Sequence, residues 1–169
     1  MKNKFTQLLI IFLLLNNFYT QSLSDEFQFN VTEVQVFNEG NLIKGVKGGS
    51  VVTNNEMTII DADYFEYDKL TLILNAKGNV TITDKINNVI LKAPEVFYFK
   101  NKEVIQTKGF TDVFISNEYF ADTKDLFFFR NKSILSSDHK TSITDTFNNL
   151  YTLNKFEYLL NKEILKGDN

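Results

Sequence analysis

Chemistry in this chain would have to come from one histidine and a scatter of acids. The sequence holds His139, 21 Asp and Glu residues and no cysteine. A thiolate nucleophile, a disulfide framework and a cysteine metal site are therefore ruled out. A lone histidine with no carboxylate pair at ligand spacing is a weak metal ligand and a weak general base. Asp61 and Asp63 flank Ala62 in an alternating run, which points them at solvent. Asp84 and Asp145 each precede a turn with paired asparagines, in "ITDKINN" and "ITDTFNN", where side-chain hydrogen bonds to backbone account for them. A glycan-cleaving enzyme would need two acids about 5 to 9.5 Å apart in one cleft, and no pair stands out. "KGVKGG" lacks the strand-to-helix setting of a phosphate loop. The net charge of −3 and pI near 5.2 also give no basic surface for nucleic acid. No enzyme and no cofactor is expected.

What would position these residues is a chain of strands. Apolar and polar residues alternate with period two, as in Phe27, Phe29 and Val31, or Leu74, Ala76, Gly78, Val80 and Ile82. Clusters such as "NEGN", "YDK", "KNK" and "RNK" interrupt the runs. The ten-residue phrase "ITDKINNVIL" reappears as "ITDTFNNLYT", and the wider repeat has a period of about 30 residues. Each unit is two strands: one ending in an aromatic pair, then a tight turn, then an alternating strand. The expected fold is all-β, an elongated antiparallel sheet folded over on itself, with hairpin turns near Asp68, Asn101, Asn131 and Asn161.

Stacking the units places equivalent residues in rows. Leu74, Ile105, Leu135 and Leu165 form the first, and Ala76, Thr107, Ser137 and Gly167 the second. Gly78, Gly109 and His139 form the third, Val80, Thr111 and Thr141 the fourth, and Ile82, Val113 and Ile143 the fifth. Period-two geometry puts all five on one face, expected to be inward, with Phe65, Tyr67, Val96, Tyr98 and Phe127 opposite. The face is bulky at its edges and narrow in its middle. It is either a trough for a ligand or a packed interior whose small residues oppose aromatics. Pro94 is expected to mark a bulge that shifts the alternation.

The N-terminus has Lys2 and Lys4, an apolar run of eight residues from Leu8 to Leu15, then Asn16 and Asn17. A spanning helix needs about 20 apolar residues, so residues 1–24 are expected to be a secretory signal and 25–169 the folded domain.

The run from Ile59 to Ile115, with its Ala-Asp step, aromatic pair and "AKGNVTITD", resembles the OstA-like, or LptA-like, repeat of lipopolysaccharide transport. The aromatic-rich run from Tyr119 to Gly167 is similar to the N-terminal periplasmic region of LptD. The resemblance implies an open antiparallel β-jellyroll in the periplasm, associated with the outer membrane if the chain is LptD-like. Lipopolysaccharide acyl chains would lie in a trough of Phe65, Tyr67, Leu74, Ala76, Val80, Ile82, Val96, Tyr98, Ile105, Thr107, Thr111, Val113, Phe127, Leu135, Ser137, Thr141 and Ile143. It also implies edge-strand pairing with LptA, LptC or LptD partners and head-to-tail self-association. Because "EILKGDN" stops partway into an expected strand, the chain reads either as a fragment of an LptD-like protein or as a stand-alone OstA-like protein. The competing reading is a structural β-repeat protein that pairs edge to edge and carries no lipid.

Overall fold

The computed structural model describes residues 27–53, 57–116 and 118–168. The expected signal at 1–24 lies outside these. Among the described residues fifteen strands follow one another: β1 Phe27–Phe37, β2 Leu42–Thr53, β3 Thr58–Ala62, β4 Tyr64–Asp68 and β5 Ile73–Asp84. Next come β6 Val89–Phe99, β7 Val104–Lys108, β8 Phe110–Ile115, β9 Tyr119–Lys124 and β10 Phe127–Phe129. Last are β11 Ile134–Ser137, β12 Thr141–Asp145, β13 Leu150–Leu153, β14 Lys155–Leu159 and β15 Ile164–Asp168. All belong to one sheet, and each pairing is antiparallel. The hairpin turns near 68, 101, 131 and 161 form where the sequence places them, the last three as short 3-10 turns.

The sheet bends into two arms. The first holds β4, β7, β10, β11, β14 and β15, and the second holds β3, β8, β9, β12 and β13. The long strands β2, β5 and β6 run through both. The corner between the arms is a line of broken alternation. Gly48 N donates to Asp63 O at 2.9 Å, Asp63 N to Gly78 O at 3.0 Å, and Asp125 N to Gly109 O at 3.1 Å. Positive φ at Gly78, Asn79, Gly109 and Asp125 turns the chain there. At Gly49, φ is +144° and a Cβ would lie 2.4 Å from Asn30 O, so only glycine lets β1 approach. Pro94 faces the bulge made by Gly78 and Asn79, is exposed, and marks the shift in β6 from buried Ala93 to buried Val96.

Between the arms the core is dense. Phe65, Tyr67, Leu74, Ile82, Leu91, Tyr98, Ile105, Phe128 and Leu135 are all fully buried. At about 25 cal/mol per Å² of apolar area, each such large side chain contributes about 1.5–3 kcal/mol.

Candidate functional site

Sixteen of the seventeen expected trough residues lie buried between the arms: Phe65, Tyr67, Leu74, Ala76, Val80, Ile82, Val96, Tyr98, Ile105, Thr107, Thr111, Val113, Leu135, Ser137, Thr141 and Ile143. Phe127 does not. It is half-buried on the outer face with its ring stacked on Phe129, and Phe128 takes the inward place. Asp125, with φ 46°, inserts one residue at the corner, so the inward positions change from Ala121 and Thr123 to Leu126 and Phe128. The row of Gly78, Gly109 and His139 is also not inward. It lies on the corner, where Gly109 and His139 are exposed and His139 Nε2 meets Asp125 Oδ2 at 3.3 Å.

The small residues beside the corner do not leave a hollow. Thr107 Oγ1 and Thr111 Oγ1 are 2.7 Å apart, as are Thr123 Oγ1 and Thr141 Oγ1. Leu126 N donates to Thr107 Oγ1, and Ser137 Oγ donates to Lys124 O. These hydroxyls hold backbone groups that the bend removes from the ladder.

Opposite the corner, the ends of the two arms face each other along a mouth bordered by turns. Among the described residues, three sets of contacts cross it. At one end Phe27 packs edge-on against Tyr67 at 4.9 Å and against Tyr98 at 5.6 Å between ring centroids. In the middle Arg130, at the end of β10, reaches Asp84 on the second arm. At the other end Tyr119 lies 5.8 Å from Tyr158.

The middle contact is charged and buried. Arg130 Nε donates to Asp84 Oδ2 at 2.5 Å, and Nη1 donates to the Tyr98 hydroxyl and to Glu103 Oε2. Asp84 Oδ1 accepts from Asn87 N at 2.8 Å and from Asn87 Nδ2 at 3.0 Å, so the expected turn bond forms with one oxygen and the other is left for Arg130. Asp145 uses its oxygens on Phe147 and Asn149 alone in that turn and on Tyr151. Burial opposes the Arg130 charge, but Tyr98, Asp84 and Glu103 outweigh it and raise its pKa. Burial likewise works against Glu103, yet hydrogen bonds from Lys100 and Tyr98 and the nearby cations hold its carboxyl below the usual range. Burial above all pushes the Tyr98 phenol up.

Past Tyr119 and Tyr158 the arms separate around a cavity of about 230 Å³. Ile115, Ala121, Ile143, Phe156 and Leu165 line it with the two tyrosines, Tyr151 and Glu163. Burial raises the Tyr158 phenol to about 12. Of the expected site residues, Ile143 is the one that borders this space. Tyr119, Phe156 and Tyr158 were not singled out as site residues, although the last two stand in the aromatic pair of the final unit. No group of three or more His, Asp or Glu residues able to hold a metal occurs among the described residues, and no described helix is long and apolar enough to cross a membrane.

No protein-family model matches the chain, and neither does any curated protein. Among solved structures, the TCP10 domain of Danio rerio CPAP, in complex with a peptide of Danio rerio STIL, is similar at 11% identity over 80% of this chain and 92% of that one. Its TM-score of 0.18 carries no argument. LptH of Pseudomonas aeruginosa, described as the LptA-homologous periplasmic component of the conserved lipopolysaccharide transport device, matches with a TM-score of 0.54 and 16% identity. The match covers 65% of this chain and 80% of that one, and what it shows is a shared, folded-over antiparallel β architecture.

Proposed function

We propose that this chain is an LptA-like β-jellyroll module, spanning residues 25–169 after a secretory signal at 1–24, that carries lipopolysaccharide by its acyl chains in the periplasm. The observation that supports this reading most is the apolar cavity between the arms at Ile115, Ala121, Ile143, Phe156, Tyr158 and Leu165. It continues the buried rows and opens to solvent, so a chain entering it leaves water at about 0.8 kcal/mol per CH₂ while a charged sugar head stays outside. The mechanism needs no bond to break. Edge strands would pass the chain on: β1 and β15 each have one neighbour among the described residues, and an LptA, LptC or LptD partner, or a second copy, can add a strand to either. The aromatic-rich run from Tyr119 onward, which forms most of this cavity, favours the N-terminal domain of LptD within that family.

The competing reading is a structural β-repeat protein with a dry core, and the dense packing from Phe65 to Leu135 favours it. Incubating the purified protein with lipopolysaccharide and separating by size distinguishes the two. A carrier co-elutes with the lipid, and Tyr158→Asp abolishes this. Absence of co-elution at all ratios, with the protein folded, leaves the structural reading.

A further inference from the structure

The chain has 18 basic residues, and Arg130 is its single arginine. Corresponding turn positions in neighbouring units hold Lys100 and Leu160. The Arg130 side chain is 8% exposed and that of Asp84 0%. Its fork is used in two directions, to Asp84 on the second arm and to Tyr98 and Glu103 on the first. The guanidinium also lies over the Tyr98 ring, 5.5 Å from its centroid. Lysine, a point charge on a flexible stem, cannot hold both arms at once in this way. Toward β1 from this contact the interior is filled and the mouth is sealed again by Phe27. Toward β15, Tyr119 and Tyr158 meet across the mouth by ring contact, and the open cavity begins there.

We propose that Arg130 determines how much of the interior a lipid chain can occupy. It clamps the two arms shut over the rows from Leu74 to Ile105, so the ligand is confined to the chamber between Tyr119, Ile143, Tyr158 and Leu165. A desolvated, hydrogen-bonded ion pair resists separation because both charges would be left unpaired, whereas the single tilted Tyr119–Tyr158 ring contact leaves no charge behind and parts at lower cost. The chamber end of the mouth therefore opens while the stretch from Arg130 to Phe27 stays closed. This deepens the carrier reading and takes its ligand from it, but the clamp itself exists without lipid.

The chain has no cysteine, so single engineered thiols report single places. In lipid-free protein, Leu91→Cys behind the clamp is expected to react with a thiol reagent about tenfold or more slowly than Leu165→Cys in the chamber. Arg130→Lys and the charge-neutral pair Asp84→Asn with Arg130→Met are expected to remove most of that difference, with circular dichroism reporting the retained sheet. Equal rates at the two thiols in Arg130 protein, or rates that neither folded variant changes, overturn the clamp. With doxyl-labelled stearate as the probe, methyl signals of Ile143 and Leu165 should broaden in the unaltered protein while those of Leu74 and Leu91 stay sharp, and the latter should broaden once Arg130 is replaced. Broadening of both groups in unaltered protein also overturns the clamp. Slow labelling of Leu91→Cys that the variants relieve, with no broadening anywhere, upholds the clamp and counts against the carrier reading.

Discussion

The hydroxyl oxygens of Thr107 and Thr111 lie 2.7 Å apart on either side of Gly109 and tie the end of β7 to the start of β8 across the corner. Thr107 Oγ1 also accepts from Leu126 N at 2.9 Å, so one buried hydroxyl serves two neighbours. Thr107→Val keeps the shape and orphans Leu126 N, while Thr111 Oγ1 keeps its bond to Gly109 O. It should cost about 1–3 kcal/mol in urea unfolding, while Thr107→Ser costs less than half of that. Equal stability of all three proteins would show that the corner does not depend on this hydroxyl.

Removing one member of the Arg130 cluster should be worse than removing two. Arg130→Met strands the fully buried Asp84 and is expected to cost about 3–5 kcal/mol, with Asp84→Asn added on top recovering a large part. A double-mutant cycle in denaturant measures the coupling. The pH dependence follows from Glu103, whose carboxyl is held below its ordinary value of 4.5. A depressed carboxylate stabilises the fold above that value and loses its contribution as pH falls through the folded-state pKa. The stability gap between the unaltered protein and Glu103→Gln should therefore be full at pH 7 and narrow below pH 4.5. A constant gap at all pH values contradicts the ionised cluster.

On the outer face of the second arm Asp122 stands directly opposite Asp112, with Lys92 beyond Asp112 in the same row. Burial first, and then the charge and hydrogen bond of Asp112, raise the Asp122 pKa above 3.8. A raised carboxyl destabilises the fold once it ionises, so stability lost above the folded-state pKa returns as pH falls. Asp122→Asn should raise the melting temperature at pH 7, by the equivalent of a few tenths of a kcal/mol because solvent screens the pair. The benefit should vanish below pH 3.8.

Ala76 is 1% exposed and lies opposite Phe65 and Val96 on its two neighbouring strands. Ala76→Phe is expected to overpack this row and cost about 1–3 kcal/mol. Leu165→Phe, facing the chamber, should cost less and instead reduce lipid co-elution. If Ala76→Phe leaves stability unchanged, the middle of the interior has more space than its burial indicates.

Pairing between copies should run through β1 and β15. Val36 and Ile164 are exposed on these strands, at 59% and 43%. Val36→Cys together with Ile164→Cys should give disulfide-linked ladders on oxidation, while a pair at Gln106 and Thr81 on outer faces should not. Strict monomers with both pairs would remove edge pairing from the proposed function.

Strand identity, turn positions and most of the interior were legible in the sequence, because alternation and turn chemistry are local properties. The 30-residue repeat placed Leu74, Ile105 and Leu135 in a row, and the structure buries all three. Local alternation fails wherever a residue is inserted. Asp125 shifts the alternation and turns Phe127 outward, and the corner takes Gly78, Gly109 and His139 out of the interior. The partner of Asp84 could not be read at all. Its local context accounts for Asn87, but Arg130 is 46 residues away and reaches it only because the arms fold face to face. One arginine among seventeen lysines was the signal available, and composition cannot say what a side chain touches. The sequence by itself determined a stack of hairpins with an apolar face. Where the two arms meet was decided by tertiary structure, because the Arg130–Asp84 and Tyr119–Tyr158 contacts join residues far apart in the chain and form only when the sheet folds over.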